Sequence, residues 1–166
     1  MSGNEIAVKC SGITKAFGGV VANDDINLEV KYGEILALLG ENGSGKTTLM
    51  NMLSGIYHPD KGTIAISGKT VAINSPKDSI ALGIGMIHQH FKLVEVFTAA
   101  DNIVAGTKGS LKGKGAVRDE INKISEQLGL EVDPDKKVYN MSVSEKQTVE
   151  ILKVLYRGAK ILILDE

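Results

Sequence analysis

Gly40-Glu41-Asn42-Gly43-Ser44-Gly45-Lys46-Thr47 fits the spacing G-x-x-x-x-G-K-[ST], and the fold is read outward from it. The apolar run Glu34–Leu39 before it reads as a strand, and Lys46–Ser54 after it as a helix. Gly40, Gly43 and Gly45 let the backbone curl so that several N–H groups point at one anion. The helix opening near Lys46 adds the positive end of its dipole. Lys46 is placed to reach the β- and γ-phosphates of a nucleotide, and the Thr47 hydroxyl to ligate Mg²⁺. Glu41, Asn42, Ser44 and Thr48 complete the predicted cradle.

Upstream and downstream, short β-type runs alternate with turns as far as Asn74. Glu5–Lys9, Ile26–Lys31, Thr63–Ser67 and Thr70–Asn74 read as strands, with hairpin turns at Lys31-Tyr32-Gly33 and Ser67-Gly68-Lys69. Ser75-Pro76 caps a short helix that Gly83 ends, and Ile84–His88 reads as a buried strand. Thr98 caps a helix through Val104, and Thr107–Gly115 reads as a surface loop. Ala116–Leu128 is amphipathic, with Val117, Ile121, Ile124 and Leu128 on one face and Gly129 as its stop. Ser144–Tyr156 is a further helix. Strands alternating with helices after a glycine-rich loop predict an α/β fold, with an antiparallel side sheet from the early hairpins.

Phosphoryl chemistry needs a second acid for the metal. Ile161-Leu162-Ile163-Leu164-Asp165-Glu166 supplies it: four apolar residues predict a buried strand beside Ile35–Leu39, and two acids follow. Asp165 is read as holding Mg²⁺ through water, and Glu166 as the base that orients and deprotonates the attacking water.

Composition narrows the classes. The chain has 166 residues, 43% hydrophobic and 23% charged, enough for a buried core and too balanced for a disordered tail. A net charge of −1, with arginine only at Arg118 and Arg157, gives no basic field for nucleic acid. One cysteine, Cys10, excludes an intramolecular disulfide and suits a reducing compartment. No apolar stretch is long enough to span a bilayer, and Met1–Cys10 lacks a signal-peptide pattern.

These motifs, in this order, resemble the ATP-binding subunit of ABC transporters along nearly the whole chain. The resemblance implies a P-loop NTPase core with an antiparallel β side sheet and a helical subdomain. Residues 1–90 would be core plus side sheet, 91–157 the helical subdomain and 158–166 the strand carrying the acids. It implies ATP and Mg²⁺ as cofactors. It further implies that Phe17, which alone reads as a half-buried core aromatic, stacks on adenine. Gln89, in Met86-Ile87-His88-Gln89-His90-Phe91, would touch the metal and the attacking water and sense a membrane-spanning permease. The permease groove would lie near Gln89–Phe97, with Phe91, Leu93 and Phe97 gripping a helix. Met141-Ser142-Val143-Ser144-Glu145-Lys146-Gln147 aligns with the family signature, so Ser142 would contact the γ-phosphate of ATP held by an opposite ATPase domain. Val143, Ser144 and Glu145 depart from the usual Gly-Gly-Gln.

Val20–Leu28, Gly85–Leu93 and Val149–Ala159 look like bacterial importers of simple sugars and nucleosides, with a lean toward nucleosides. The resemblance implies the first of two tandem ATPase domains, peripheral at the cytoplasmic face of the plasma membrane. Its partners would be permease subunits, a second ATPase domain or a homodimer mate, and indirectly an extracytoplasmic solute-binding protein, with no nucleic acid. Family members continue past the Asp-Glu pair to a switch histidine, and His58, His88 and His90 sit at other motif positions. The chain by itself is therefore expected to bind nucleotide weakly and turn over little. A soluble ABC ATPase of DNA repair or the ribosome, or a nucleotide-binding regulatory module, stands as the alternative.

Overall fold

In the computed structural model, which describes residues 5–88, 91–107 and 113–165, the chain opens with two long strands, β1 (Ile6–Phe17) and β2 (Val20–Lys31). They pair antiparallel from Ile6↔Lys31 to Phe17↔Val20, so the reversal falls on Gly18-Gly19, with Gly18 at φ 58°. Both strands run further than the sequence suggested. The polar stretch Ser11–Lys15 hides the period-two pattern, and the register shifts there at bulges. β3 (Lys61–Ile66) pairs with β1, and β4 (Lys69–Val71) with β3, giving the order β2-β1-β3-β4. Ser67 and Gly68 both take positive φ, 50° and 76°, as the type I′ turn between β3 and β4 requires. Lys31-Tyr32-Gly33 is also a turn, but it leads out of the sheet rather than into a hairpin.

Two compact units divide the chain, Met1–Ile84 and Gly85–Glu166. The first holds this sheet, α1 (Lys46–Leu53) and α2 (Pro76–Ala81). Its buried apolar residues include Val8, Cys10, Ile64 and Ile66 on β1 and β3, Ile13 further along β1, and one stripe of α1 (Leu49, Met52, Leu53). The second is reached through β5 (Ile84–Ile87), which starts at the boundary. It contains α3 (Ala99–Val104), α4 (Lys114–Leu128), α5 (Val143–Tyr156) and β6 (Ile161–Leu164). Ile103, Val117, Ile121, Val138, Val149 and Leu152 form its core, with Ile124 packed against it; of the expected α4 face, Leu128 is instead exposed at the end of the helix. Gly129 closes α4 at φ 64°, the left-handed stop its position predicts.

Two expectations fail. Residues 34–40 form no strand, and Ile35 and Leu39 are 98% and 93% exposed. A strand exists only by pairing its N–H and C=O groups laterally. Neither sheet among the described residues takes this segment up. Likewise β6 is not the neighbour of Ile35–Leu39. It pairs with β5, and the Asp165 N–H continues the ladder to the Ile87 carbonyl at 3.1 Å. Of its apolar run only Ile163 is buried, while Leu162 and Leu164 face out, as alternation in a two-stranded ribbon demands.

Candidate functional site

The glycines of the 40–47 loop are held by geometry. Gly43 and Gly45 sit at φ 85° and 88°, a region L side chains enter at a cost. A Cβ on Gly45 would overlap the Ala22 carbonyl oxygen and come 2.9 Å from Asn23 Nδ2; one on Gly40 would come 2.8 Å from Ser44 Oγ. The space a side chain would fill at these two positions is therefore already taken. Lys46 lies back across the loop, its Nζ donating to the carbonyls of Gly40 at 2.7 Å and Glu41 at 2.9 Å. These are neutral acceptors, and a phosphate oxygen is a stronger one.

The start of α1 differs from the other well-capped helices. At α2, Ser75 accepts from the Asp78 N–H; at α3 and α5, Thr98 with Asp101 and Ser142 with Glu145 form full capping boxes. α1 begins at Gly45 with no side-chain cap and no acid in its first turn. α4 also begins uncapped, at Gly113. A helix N-terminus left positive beneath curled backbone amides and a lysine is suited to a polyanion.

Asn23 went unnoticed in the sequence. It lies buried on β2, and its Nδ2 donates to the Gly45 carbonyl at 3.2 Å. That carbonyl also accepts from Leu49 N–H at 3.0 Å. Holding the C=O of the Gly45–Lys46 peptide toward the helix aims its N–H the opposite way, toward the loop. On β1, Phe17 is 43% exposed, not a core residue. It packs edge-on against Tyr57, centroids 5.0 Å apart, with Lys15 Nζ 5.4 Å over its ring. The ladder pairs Lys15 with Asn23, so Phe17 lies two residues, about 7 Å, along the strand from the rung touching Gly45.

The remaining candidate residues belong to the second unit. Asp165 follows β6. Ser142 is the N-cap of α5, its Oγ accepting from the Glu145 N–H at 3.2 Å while Glu145 accepts from the Ser142 N–H at 2.8 Å. Glu145 also pairs with Lys136 at 2.6 Å, and these donors hold its carboxyl down at about 2. The departure from the signature pattern at Glu145 thus has a capping role. Of the supposed permease contacts, Leu93 packs on the core of this unit rather than outward. Phe97 is exposed, together with Val94 and Val96. Gln89, His90, Glu166 and Lys108–Lys112 lie outside the described residues. His58 has a structural partner, its Nδ1 lying 3.1 Å from the Ile73 carbonyl. No cluster of three or more His, Cys, Asp or Glu suited to a metal occurs among the described residues. No helix among them is long and apolar enough to cross a membrane.

The model of the ABC transporter family matches residues 23–166. The nucleoside import ATP-binding protein NupA of Lactococcus lactis subsp. cremoris is 51% identical over 98% of this chain. The guanosine import ATP-binding protein NupO of Bacillus subtilis is 52% identical over 98%. The chain spans about a third of each relative's length, 33% and 32%. Among solved structures, cbiO1 of Clostridium perfringens, part of the ABC transporter complex cbiONQ, superposes with a TM-score of 0.83 at 28% identity. The match covers 98% of this chain and 66% of that one.

Proposed function

This chain belongs to the ABC transporter family, whose cassette binds ATP, and we propose that it is part of the energy-coupling ATPase subunit of a nucleoside or simple-sugar importer. The observation that carries the reading is the loop at 40–47: a glycine loop in which Gly40 and Gly45 leave no room for a side chain, over a helix start with no cap of its own, with Lys46 across it.

In this reading the loop amides and Lys46 hold the β- and γ-phosphates, and Lys46 exchanges its carbonyl partners for phosphate oxygens. Adenine stacks on the face of Phe17 away from Lys15, with Tyr57 buttressing the ring edge. The Thr47 hydroxyl is an oxygen donor of the hardness Mg²⁺ selects and would hold that ion; the Asp165 carboxylate has the same hardness and is suited to Mg²⁺ through water. Bound there, it would neutralise charge on the transferred phosphoryl group. Gln89 positions the attacking water and Glu166 takes its proton. Ser142, at the N-terminus of α5, would turn its hydroxyl from Glu145 to a γ-phosphate on a second ATPase domain. Val94, Val96 and Phe97 offer the apolar surface for a permease helix at the cytoplasmic face of the membrane. Both quoted relatives carry nucleoside or guanosine import in their names, which favours a nucleoside over a sugar as cargo.

The test is uptake by the intact subunit reconstituted with its membrane subunits in ATP-loaded vesicles, offered guanosine, ribose or galactose. Guanosine uptake that needs ATP and is lost in Lys46→Ala is the expected result. ATP turnover insensitive to every solute and to the membrane subunits would overturn the importer reading.

A further inference from the structure

Helix α5 turns one charged stripe toward segment 91–98. Lys146, Glu150 and Lys153 lie at spacings of four and three, hence on one face. Lys146 Nζ pairs with Glu95 Oε1 at 2.8 Å. Glu150, only 5% exposed, accepts the Lys92 N–H at 2.6 Å through Oε1 and pairs with Lys153 Nζ at 3.3 Å through Oε2. Lys153 Nζ in turn donates to the Lys92 carbonyl at 2.8 Å. Both backbone groups of Lys92 are thus held by two side chains of one helix, as a neighbouring strand would hold them.

Two residues on, Asn102 of α3 does the same for Val94. Its Oδ1 accepts the Val94 N–H at 2.7 Å and its Nδ2 donates to the Val94 carbonyl at 3.1 Å. A buried carboxylate is costly unless charge and hydrogen bonds compensate it, and Leu or Ala would serve α5 packing without that cost. What the polar stripe adds is a fixed register between the segment and the helix, with Val94, Val96 and Phe97 displayed outward. The same helix begins at Ser142.

We propose that Glu150, with Lys153, is a positioning residue that locks segment 91–98 to α5. A membrane subunit bearing on Val94, Val96 and Phe97 then displaces the Ser142 end of the helix with it. This rests on the importer reading above. A carboxylate accepts hydrogen bonds about twice as strongly as a neutral amide oxygen, so Glu150→Gln weakens the lock and Glu150→Leu removes it.

The experiment uses the intact subunit with its membrane subunits. It compares ATP turnover with and without transported solute, the KM for ATP, and hydrogen exchange at Lys92. Solute stimulation is expected to fall about threefold in Glu150→Gln and about tenfold in Glu150→Leu, with the KM for ATP unchanged, and Lys92 exchange to quicken in the same order. Should Glu150→Leu not fold, Glu150→Gln carries the test, since a glutamine fits the same space. Undiminished stimulation in both variants, or a fall matched by lost folded protein, overturns the coupling. Failure of the wild-type subunit to respond to solute or membrane subunits overturns the importer reading itself, and the coupling with it.

Discussion

Gly43 and Gly45 offer a matched pair of perturbations. They sit at φ 85° and 88°, so alanine at either carries the left-handed cost of about 1–2 kcal/mol. They differ in room: a Cβ on Gly43 meets nothing within 4 Å, whereas one on Gly45 strikes the β2 backbone at Ala22 and the Asn23 amide. Backbone does not yield as a flexible side chain does, and forced overpacking adds about 1–3 kcal/mol. Gly45→Ala should therefore destabilise the chain by about 2–5 kcal/mol, and Gly43→Ala by about 1–2 kcal/mol. Urea unfolding of the two variants, read by the shift in midpoint at constant slope, measures the difference. Nucleotide affinity should fall further in Gly45→Ala, because a displaced Asn23 releases the Gly45 carbonyl. Equal destabilisation by both variants would refute the argument that β2 fixes the loop.

Glu145 is held at about 2 against an ordinary 4.5, so its contribution to stability is complete above 4.5 and is lost as pH falls toward 2. The stability gap between wild type and Glu145→Gln, followed by urea midpoint, should close over that window; a constant gap would contradict the capping box. Phe17→Ala should weaken ATP more than it weakens inorganic triphosphate, measured by calorimetry, because only ATP carries a base to stack. Burial pushes the Cys10 thiol up from 9.0 to about 11, so at mildly alkaline pH its thiolate fraction is about a hundredfold below that of an unperturbed thiol. Thiol labelling should then follow unfolding rather than precede it.

What the sequence made legible was local. The loop spacing, the serine and threonine caps of α2, α3 and α5, the glycine stop of α4 and the Ser67-Gly68 turn each depend on residues within a few positions of one another. The misread elements depend on distant partners. Leu36-Ala37-Leu38-Leu39 has the composition of a strand, yet composition does not name the strand that must lie beside it. Asn23 touches Gly45 22 positions away and Glu150 touches Lys92 58 positions away, and neither pairing leaves a periodic trace. Glu145 departs from the family signature, and its role follows only once Ser142 is taken as its capping partner. The pattern Ser-x-x-Glu at 142–145 was the available signal, since it is the capping-box spacing.

The central claim is that residues 40–47 cradle nucleotide phosphates. Calorimetric titration of this chain with Mg·ATP, beside Lys46→Ala, tests it most directly. The account predicts that the wild-type chain binds and that removing the ammonium costs on the order of 2–3 kcal/mol of affinity. Equal binding by the two proteins would contradict it.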